Sequence, residues 1–586
     1  MDLARSCFVS LEPVGAKEAA SAEPRWTSFP ALWAKGRATF EERALLLCSL
    51  LLGYSLDAWV CLGTDDKGLA HAWVLVRDRA DASTPAQVTL WDPRNAQRIK
   101  ADDPRYLRSF SSVDTVFNHQ RILVCHEEEL QHVCYDFSDP RSWLAAPVDQ
   151  EAPVVGAEVA IQKGLPPMKK ATGPSVAIVY YSTYGHVKVM ADEIKKGLES
   201  TGVSVDLFQV PETLPPSALQ AMGAPEKPAD VMLLERAFLS ELPKYDGFMF
   251  GMPTRFGMMA SQMKAFFDGT GSLWQNGALA GKLGATFVST GTQQGGQETT
   301  HFTAVTQLVH HGMCYVPLGY QAGGEGQFDL SEIHGGSPWG ASTLAGPDGS
   351  RQPSALELKI AKKQGEVFGT AVKRTTAPAA SKKGKVCIVY YSMYGHVKKL
   401  ADEIAASMKE EGVSVDMFQA PELLGADVLK KMGAPAKPSD TVMDHAKVQQ
   451  LADYDGLLFG IPTRFGSASA QMKAFFDNTG SLWQSGALAG KLTGSFCSTG
   501  TLNGGQESTH MTTMTNMVHH GMIYVPLGYQ AGGDGQFDMT EIHGGSPWGA
   551  STYAGADGSR QASAMELKIA RRQGKVFASK VKQMMK

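Results

Sequence analysis

At 586 residues the chain exceeds one domain, because single cores rarely grow past about 250–300 residues. Charged residues make up 19% and hydrophobic ones 43%, a globular balance, and the formal net charge of -4 excludes a basic field for nucleic acid or an anionic membrane surface. Eight cysteines show no CxxC and no metal-ligand spacing, which points to reduced thiols. The longest apolar run, Ala44 to Tyr54, is too short to span a bilayer, and MDLARSCFVSLEP lacks the apolar core of a secretory leader. A cytoplasmic setting is the expectation.

Residues 1-160 read as one α+β domain. Phe40–Gly53 has the pattern of a helix closing on Gly53, followed by strands at Ala58–Leu62, Ala70–Val76 and Val88–Trp91. This order, with LLLCSLLLGYSLDAWVCLGT, the following HAWV and the later VFNHQ, resembles the transglutaminase-like core, most closely its degenerate forms in centrosomal and ciliary proteins. The resemblance assigns His71 and Asp92 to that family's His and Asp. Its cysteine position falls near Ala38, where there is no Cys, and Cys48 lies deep in an apolar helix, where burial raises a thiol pKa. The expectation is a non-catalytic domain, with a protein partner as its possible role.

The remainder is a duplication. Residues from about Gly173 recur from about Gly384, with an offset of 210 at Ser182/Ser392 and 209 at Pro253/Pro462. The lost residue falls in Pro225–Asp246, read as a surface insertion. The domains are placed at 174-373 and 384-586, joined by the Ala/Pro/Lys-rich KRTTAPAASKKGK. In the first copy strands are expected at Val176–Tyr181, Val203–Phe208, Gly247–Met252, Gly284–Ser289 and Met313–Leu318. Helices begin near Val187, Ser261, Thr299 and Ser354, and Ser354-Ala-Leu-Glu357 and Ser563-Ala-Met-Glu566 have capping-box spacing. Five parallel strands alternating with helices imply an α/β fold: two tandem doubly wound sheets of flavodoxin type, with ligands at the strand carboxyl ends.

The chemistry collects after those strands. Ser182, Thr183, Tyr184, Gly185, His186 and Val187 form a polar turn opening a helix, where free N–H groups and the dipole favour a phosphate. Thr254, Arg255 and Phe256 follow the third strand. Ser289, Thr290, Gly291, Thr292, Gln293, Gln294 and Gly295 follow the fourth, and their glycines allow backbone to approach a flat ring. His310-His311 ends the next helix and also suits a plain C-terminal cap. With no Walker lysine and no GxGxxG after a strand, a phosphate and a planar heterocycle together point to FMN.

Both copies resemble, over their whole length, the WrbA group of type IV NAD(P)H:quinone oxidoreductases. The carrying motifs are YYSTYGH, FGMPTRFGMM, GSLWQNGALAGK, STGTQQGGQETT, HHGM and GGSPWGASTLAGPDGSRQPS, with YYSMYGH, FGIPTRFGSA, GSLWQSGALAGK, STGTLNGGQEST, HHGM and GGSPWGASTYAGADGSRQAS as their second-copy forms. The resemblance implies one FMN per copy and two-electron, ping-pong transfer of hydride from NAD(P)H to quinones. It assigns FMN contact to the loop residues above and to His310. In the second copy it assigns Ser392, Met393, Tyr394, Gly395, His396 and Val397; Thr463, Arg464 and Phe465; Ser498, Thr499, Gly500, Thr501, Leu502, Asn503 and Gly504; and His519. Tyr184 and Tyr394 match the nicotinamide position, and Trp274 and Trp483 the substrate-lining one. No catalytic acid or base and no metal is implied. Family members are tetramers, so a dimer of this chain forming a pseudo-tetramer is expected. The competing readings are a one-electron flavodoxin-type carrier and a scaffold acting through the N-terminal domain.

Overall fold

A computed structural model describes residues 173–227, 232–234, 236–377, 383–530 and 532–585, and shorter stretches of the first 145 residues. The chain divides into two units, Met1–Gly164 and Leu165–Lys586. No helix among the described residues is long and apolar enough to cross a membrane.

The first unit is built on an antiparallel sheet. Its strands run in the order Gln97–Lys100, Val88–Asp92, Ala70–Arg77, Asp57–Asp65, Phe110–Phe117, Ile122–Cys125 and Trp143–Ala145. The three expected strands are there. Of Phe40–Gly53, Ala44 and Cys48 are described; both are helical and pack on Ala58, Val60, Ala72, Val74 and Trp91. His71 and Asp92 sit on adjacent strands whose register sets Val74 opposite Trp91, while their side chains, the rest of that helix and VFNHQ beyond Phe117 lie outside the described residues. Burial pushes the Cys61 thiol far up, the state of a packing residue and not of a nucleophile.

In the second unit the apolar run at Val176 becomes β1 (Ser175–Tyr180), with every residue from Val176 to Tyr180 fully buried. The first copy continues with α1 (His186–Ser200), β2 (Ser204–Gln209), β3 (Gly247–Arg255), α2 (Ser261–Gly269), β4 (Leu283–Thr290), α3 (Gln297–His310), β5 (Cys314–Tyr315) and α4 (Ala355–Thr376). All five strands are parallel in the order β2-β1-β3-β4-β5, the flavodoxin arrangement. The second copy repeats it as β6 (Lys385–Tyr390), α5 (His396–Glu410), β7 (Ser414–Gln419), β8 (Gly456–Arg464), α6 (Ala470–Asp477), β9 (Leu492–Thr499), α7 (Gln506–His519), β10 (Ile523–Tyr524) and α8 (Ala564–Met584). Both capping boxes form, at Ser354 and Ser563.

Three features depart from the sequence expectation. The fifth strand pairs over two residues only, because after the Val316 N–H bond to the Gly284 carbonyl comes Pro317, which has no N–H to continue the ladder. Short strands at Met232–Leu233 and Ser342–Leu344 add to each sheet's width, with counterparts at Thr441–Val442 and Ser551–Tyr553. The segment read as a surface insertion is packed, with Leu234, Leu239, Leu242 and Tyr245 buried beneath it.

The two copies share one continuous sheet. Tyr315 of β5 pairs antiparallel with Tyr524 of β10, so the flavodoxin-like halves are related by a pseudo-two-fold and their strands run in opposite directions. Close backbone approach flanks this seam. A Cβ at Gly319 (φ 58) would lie 2.7 Å from Gly521 Cα, and one at Gly528 (φ 61) would lie 2.7 Å from Gly312 Cα, so glycine is required on both sides. Arg374 donates to the carbonyl of Gly490, and Lys580 donates to the carbonyl of Gly281.

Burial holds four histidines toward the neutral state. His301 and His510 lie in the core with Nδ1 2.7 Å from Thr286 Oγ1 and Ser495 Oγ, and burial lowers each to about 3. Burial likewise lowers His311 and His520 to about 4. Below pH 6.5 the unfolded chain takes up protons that the fold refuses. Stability is therefore intact above about pH 6.5 and falls as pH drops toward 4, by up to about 1.4 kcal/mol per pH unit per histidine. Guanidinium midpoints measured from pH 7.5 to 4.5 should fall in this window, and H301N/H510N should flatten the dependence. A midpoint independent of pH above 4.5 would contradict the burial argument.

Candidate flavin site

The turn after β1 is shaped for an anion. Gly185, at φ 95, is the N-cap of α1, its N–H donates to Ser182 Oγ at 3.1 Å, and no side chain caps the helix. The first-turn N–H groups of α1 therefore remain donors at the carboxyl edge of the sheet. Gly395 is likewise the N-cap of α5, at φ 92, and there Ser392 Oγ accepts from the Lys398 N–H at 3.4 Å, leaving the N–H groups of His396 and Val397 as donors. The loop after β4 repeats the device, with Gly296 at φ 104 opening an α3 that likewise has no side-chain cap.

Side chains tie the loops together. Arg255 reaches Thr183 Oγ1 at 3.3 Å, and Thr300 donates to Thr254 Oγ1 at 2.8 Å. Thr290 donates to the carbonyl of Thr292. Among the described residues, the non-glycine positions with positive φ are Phe256, Gln294, Phe465 and Asn503. All four belong to the loops singled out in the sequence, two in each copy. Such backbone costs on the order of 1–3 kcal/mol and persists where the surroundings enforce it, typically at binding sites. Phe256 and Phe465 are also fully exposed, presenting bare rings at the rim.

In the second copy the loops enclose a cavity of about 280 Å3, lined by Ser392, Met393, Tyr394, His396 and Val397, by Pro462–Arg464 and by Ser498–Gly500. The same cavity has a wall that sequence reasoning missed, Ala554–Gly558. The signal was present in AGPDGSR and AGADGSR, which recur after the strands Ser342–Leu344 and Ser551–Tyr553 but carry no periodicity. This loop is held by a buried charge. Arg560 Nη1 contacts both oxygens of Glu566, at 3.1 and 3.0 Å, and Glu566 also accepts from Gly544 N, Ser563 N and Thr552 Oγ1. The Arg560 carbonyl lies 2.9 Å from His396 Nε2, which connects the network to the turn after β6. Arg351, Glu357 and His186 form the same chain in the first copy.

His310 and Trp274 are placed elsewhere. A 14-residue α3 spans about 21 Å, so a loop at its start and a histidine at its end lie at opposite edges of one sheet. His310 Nδ1 lies 3.3 Å from Tyr529 Oη of the other copy, and Trp274 packs edge-on against the Tyr529 ring at 5.3 Å. His519 and Trp483 meet Tyr320 in the same way. Because the strands of the two copies run in opposite directions, each pair reaches the edge that carries the other copy's loops. Burial lowers the His310 pKa, opposed by Glu507 in the first turn of α7; His519 is lowered in the same way, opposed by Glu298 of α3. The structure thus gathers the three loops of each copy and sends its histidine and tryptophan across the seam.

The family described as NADPH-dependent FMN reductase matches residues 176–327 and 390–536, one match in each copy and together more than half of the chain. The chain belongs to that family. Residues 24–145 match the CEP76 peptidase-like domain, in line with the resemblance noted for the N-terminal unit. Over 206 residues the chain is 57% identical to the quinone-oxidoreductase QR2 of Triphysaria versicolor, covering 35% of this chain and 98% of that one. It is 53% identical over 195 residues to the NAD(P)H quinone oxidoreductase PST2 of Candida albicans, covering 33% of this chain and 94% of that one. Each relative is thus about as long as a single copy.

Breaking the buried pair should be costly. E566A strands Arg560 and releases Ala554–Gly558, and removal of one partner of such a pair costs about 3–5 kcal/mol. Calorimetry should show a lowered unfolding transition, and flavin uptake should fall in the second copy while the first retains its share. An unchanged transition would mean that the network does not hold the loop.

Proposed function

We propose that this chain is an FMN-dependent NAD(P)H:quinone oxidoreductase carrying one flavin in each flavodoxin-like copy, two per chain. The observation that carries the reading is that glycine-opened helix N-termini and enforced positive-φ residues collect in the loops at one sheet edge in both copies. The residues fit the group. Ser182–Val187 and Ser392–Val397 offer hydroxyls and N–H donors to a phosphate monoester. Thr254–Phe256, Ser289–Gly295, Thr463–Phe465 and Ser498–Gly504 offer backbone to the polar edge of a ring. The flavin, when bound, supplies a two-electron relay between nicotinamide and quinone.

The chain's own residues bind and orient. Tyr184 and Tyr394, partly exposed beside the phosphate turn, are positioned to face a nicotinamide. Trp274 and Trp483, each 40% exposed and braced by a tyrosine of the other copy, offer a flat wall to a quinone. His310 and His519 are held toward the neutral form by burial and add a polar group at that wall. No side chain is needed as an obligatory acid or base. Exposed Phe328, Leu330 and Ile333, matched by Phe537, Met539 and Ile542, leave apolar surface on each copy that a second chain covers in a pseudo-tetramer. The N-terminal unit is a non-catalytic module that binds a protein partner, and the whole acts in the cytoplasm.

Purified protein should carry two FMN per chain and oxidise NAD(P)H rapidly with benzoquinone. G185V or G395V, each forcing a branched side chain into φ above 90°, should lower the ratio from two to one. The native mass should be twice the 62.9 kDa of one chain. Colourless protein that takes up no FMN, or a stable one-electron form without quinone turnover, would overturn the reading.

A further inference from the structure

A lysine-bearing motif recurs without a role in the site described above. Met222–Lys227 reads MGAPEK and Met432–Lys437 reads MGAPAK, and both segments fold back onto the phosphate turn. Tyr184 Oη donates to the Met222 carbonyl at 3.3 Å, and Tyr394 Oη donates to that of Met432 at 3.3 Å. At the end of each segment the lysine ammonium donates to the carbonyl of the first turn residue, Lys227 to Ser182 and Lys437 to Ser392. Each lysine lies over an aromatic ring, Tyr181 at 5.1 Å and Tyr391 at 4.4 Å. Each also faces a carboxylate, Glu212 at 3.9 Å and Glu422 at 2.9 Å.

Those carboxylates are themselves fixed. Glu212 accepts from Tyr181 Oη at 2.7 Å and Gln262 Nε2 at 2.6 Å, and Glu422 accepts from Tyr391 and Gln471 at 2.8 and 2.9 Å. Burial raises the Glu422 carboxyl, but the bonds from Lys437, Gln471, Leu424 N and Tyr391 outweigh it and hold the group at about 2. The ammonium is therefore anchored from below by a permanent negative charge and directed at one peptide. In a trans peptide the N–H points opposite to the C=O. Fixing the 182 carbonyl toward the lysine thus fixes the N–H of residue 183 away from it, toward the concave side of the turn, and the same holds at 392 and 393.

We propose that Lys227 and Lys437 are positioning residues that clasp the phosphate turn and set its affinity for the phosphate monoester of the flavin, an inference that rests on the flavin reading. Their charge also offsets part of the phosphate's through the turn, without a direct contact. The clasp has no reason to act on the isoalloxazine ring.

The test uses the full chain freed of flavin and titrated with FMN and with riboflavin, which lacks the phosphate. K227M/K437M should weaken FMN by about ten-fold, the loss expected for a hydrogen bond from a charged group, while riboflavin changes less than about two-fold. K227R/K437R, which keeps the charge and the donor, should recover most of the FMN affinity. Equal weakening of both flavins, or an unchanged FMN affinity in a folded Met variant, would overturn the clasp. Failure of the unmutated chain to take up either flavin would overturn the flavin reading itself, and the clasp with it.

Discussion

The pairing of Tyr315 with Tyr524 is the contact on which the C-terminal unit depends. An unpaired edge strand of two residues is a poor boundary for a sheet, since its backbone donors and acceptors face open space. Two such edges, joined antiparallel, remove each other's liability and create one sheet through both copies. The opposite strand direction then determines what comes near what. The carboxyl edge of one copy lies beside the amino edge of the other, and the helix that begins at the loop after β4 delivers its C-terminal histidine to the neighbour.

That geometry separates two kinds of residue within each motif set. The turn at Ser182, the loop at Thr254 and the loop at Ser289 depend only on their own copy, because they follow strands whose order is internal. Trp274 and His310 gain their surroundings from Tyr529, and so depend on the seam. A substitution at Gly319 or Gly528 would therefore act on the second class through the backbone contact, while leaving the first largely intact.

Much of this was legible in the sequence. The run from Val176 announced a buried strand, and Ser354-x-x-Glu357 announced a capped helix, because both signals are local and periodic. The converging loops were legible because a doubly wound sheet sends all carboxyl-end loops to one edge. Ala554–Gly558 escaped notice because a loop's neighbour in space is set by Arg560 and Glu566, which lie outside it in sequence. The brevity of β5 did have a signal: Val316 still bonds the Gly284 carbonyl, but Pro317 offers no N–H, and apolar character alone does not extend a strand past it. The destination of His310 required the relative strand direction of the two copies, which no pattern within one copy encodes.

The two cations at the seam carry a further consequence. Arg374 and Lys580 perform the same task on equivalent carbonyls, but they do not occupy equivalent positions: the counterpart of Lys580 is Ala371, and that of Arg374 is Gln583. A homodimer must write every substitution on both sides of its axis at once. Covalent duplication lifts that obligation. Each half is free to drift alone, as Thr183 against Met393 and Gln293-Gln294 against Leu502-Asn503 already record. One molecule can thereby hold two unlike versions of the same domain, bound together as permanently as the peptide bonds between them.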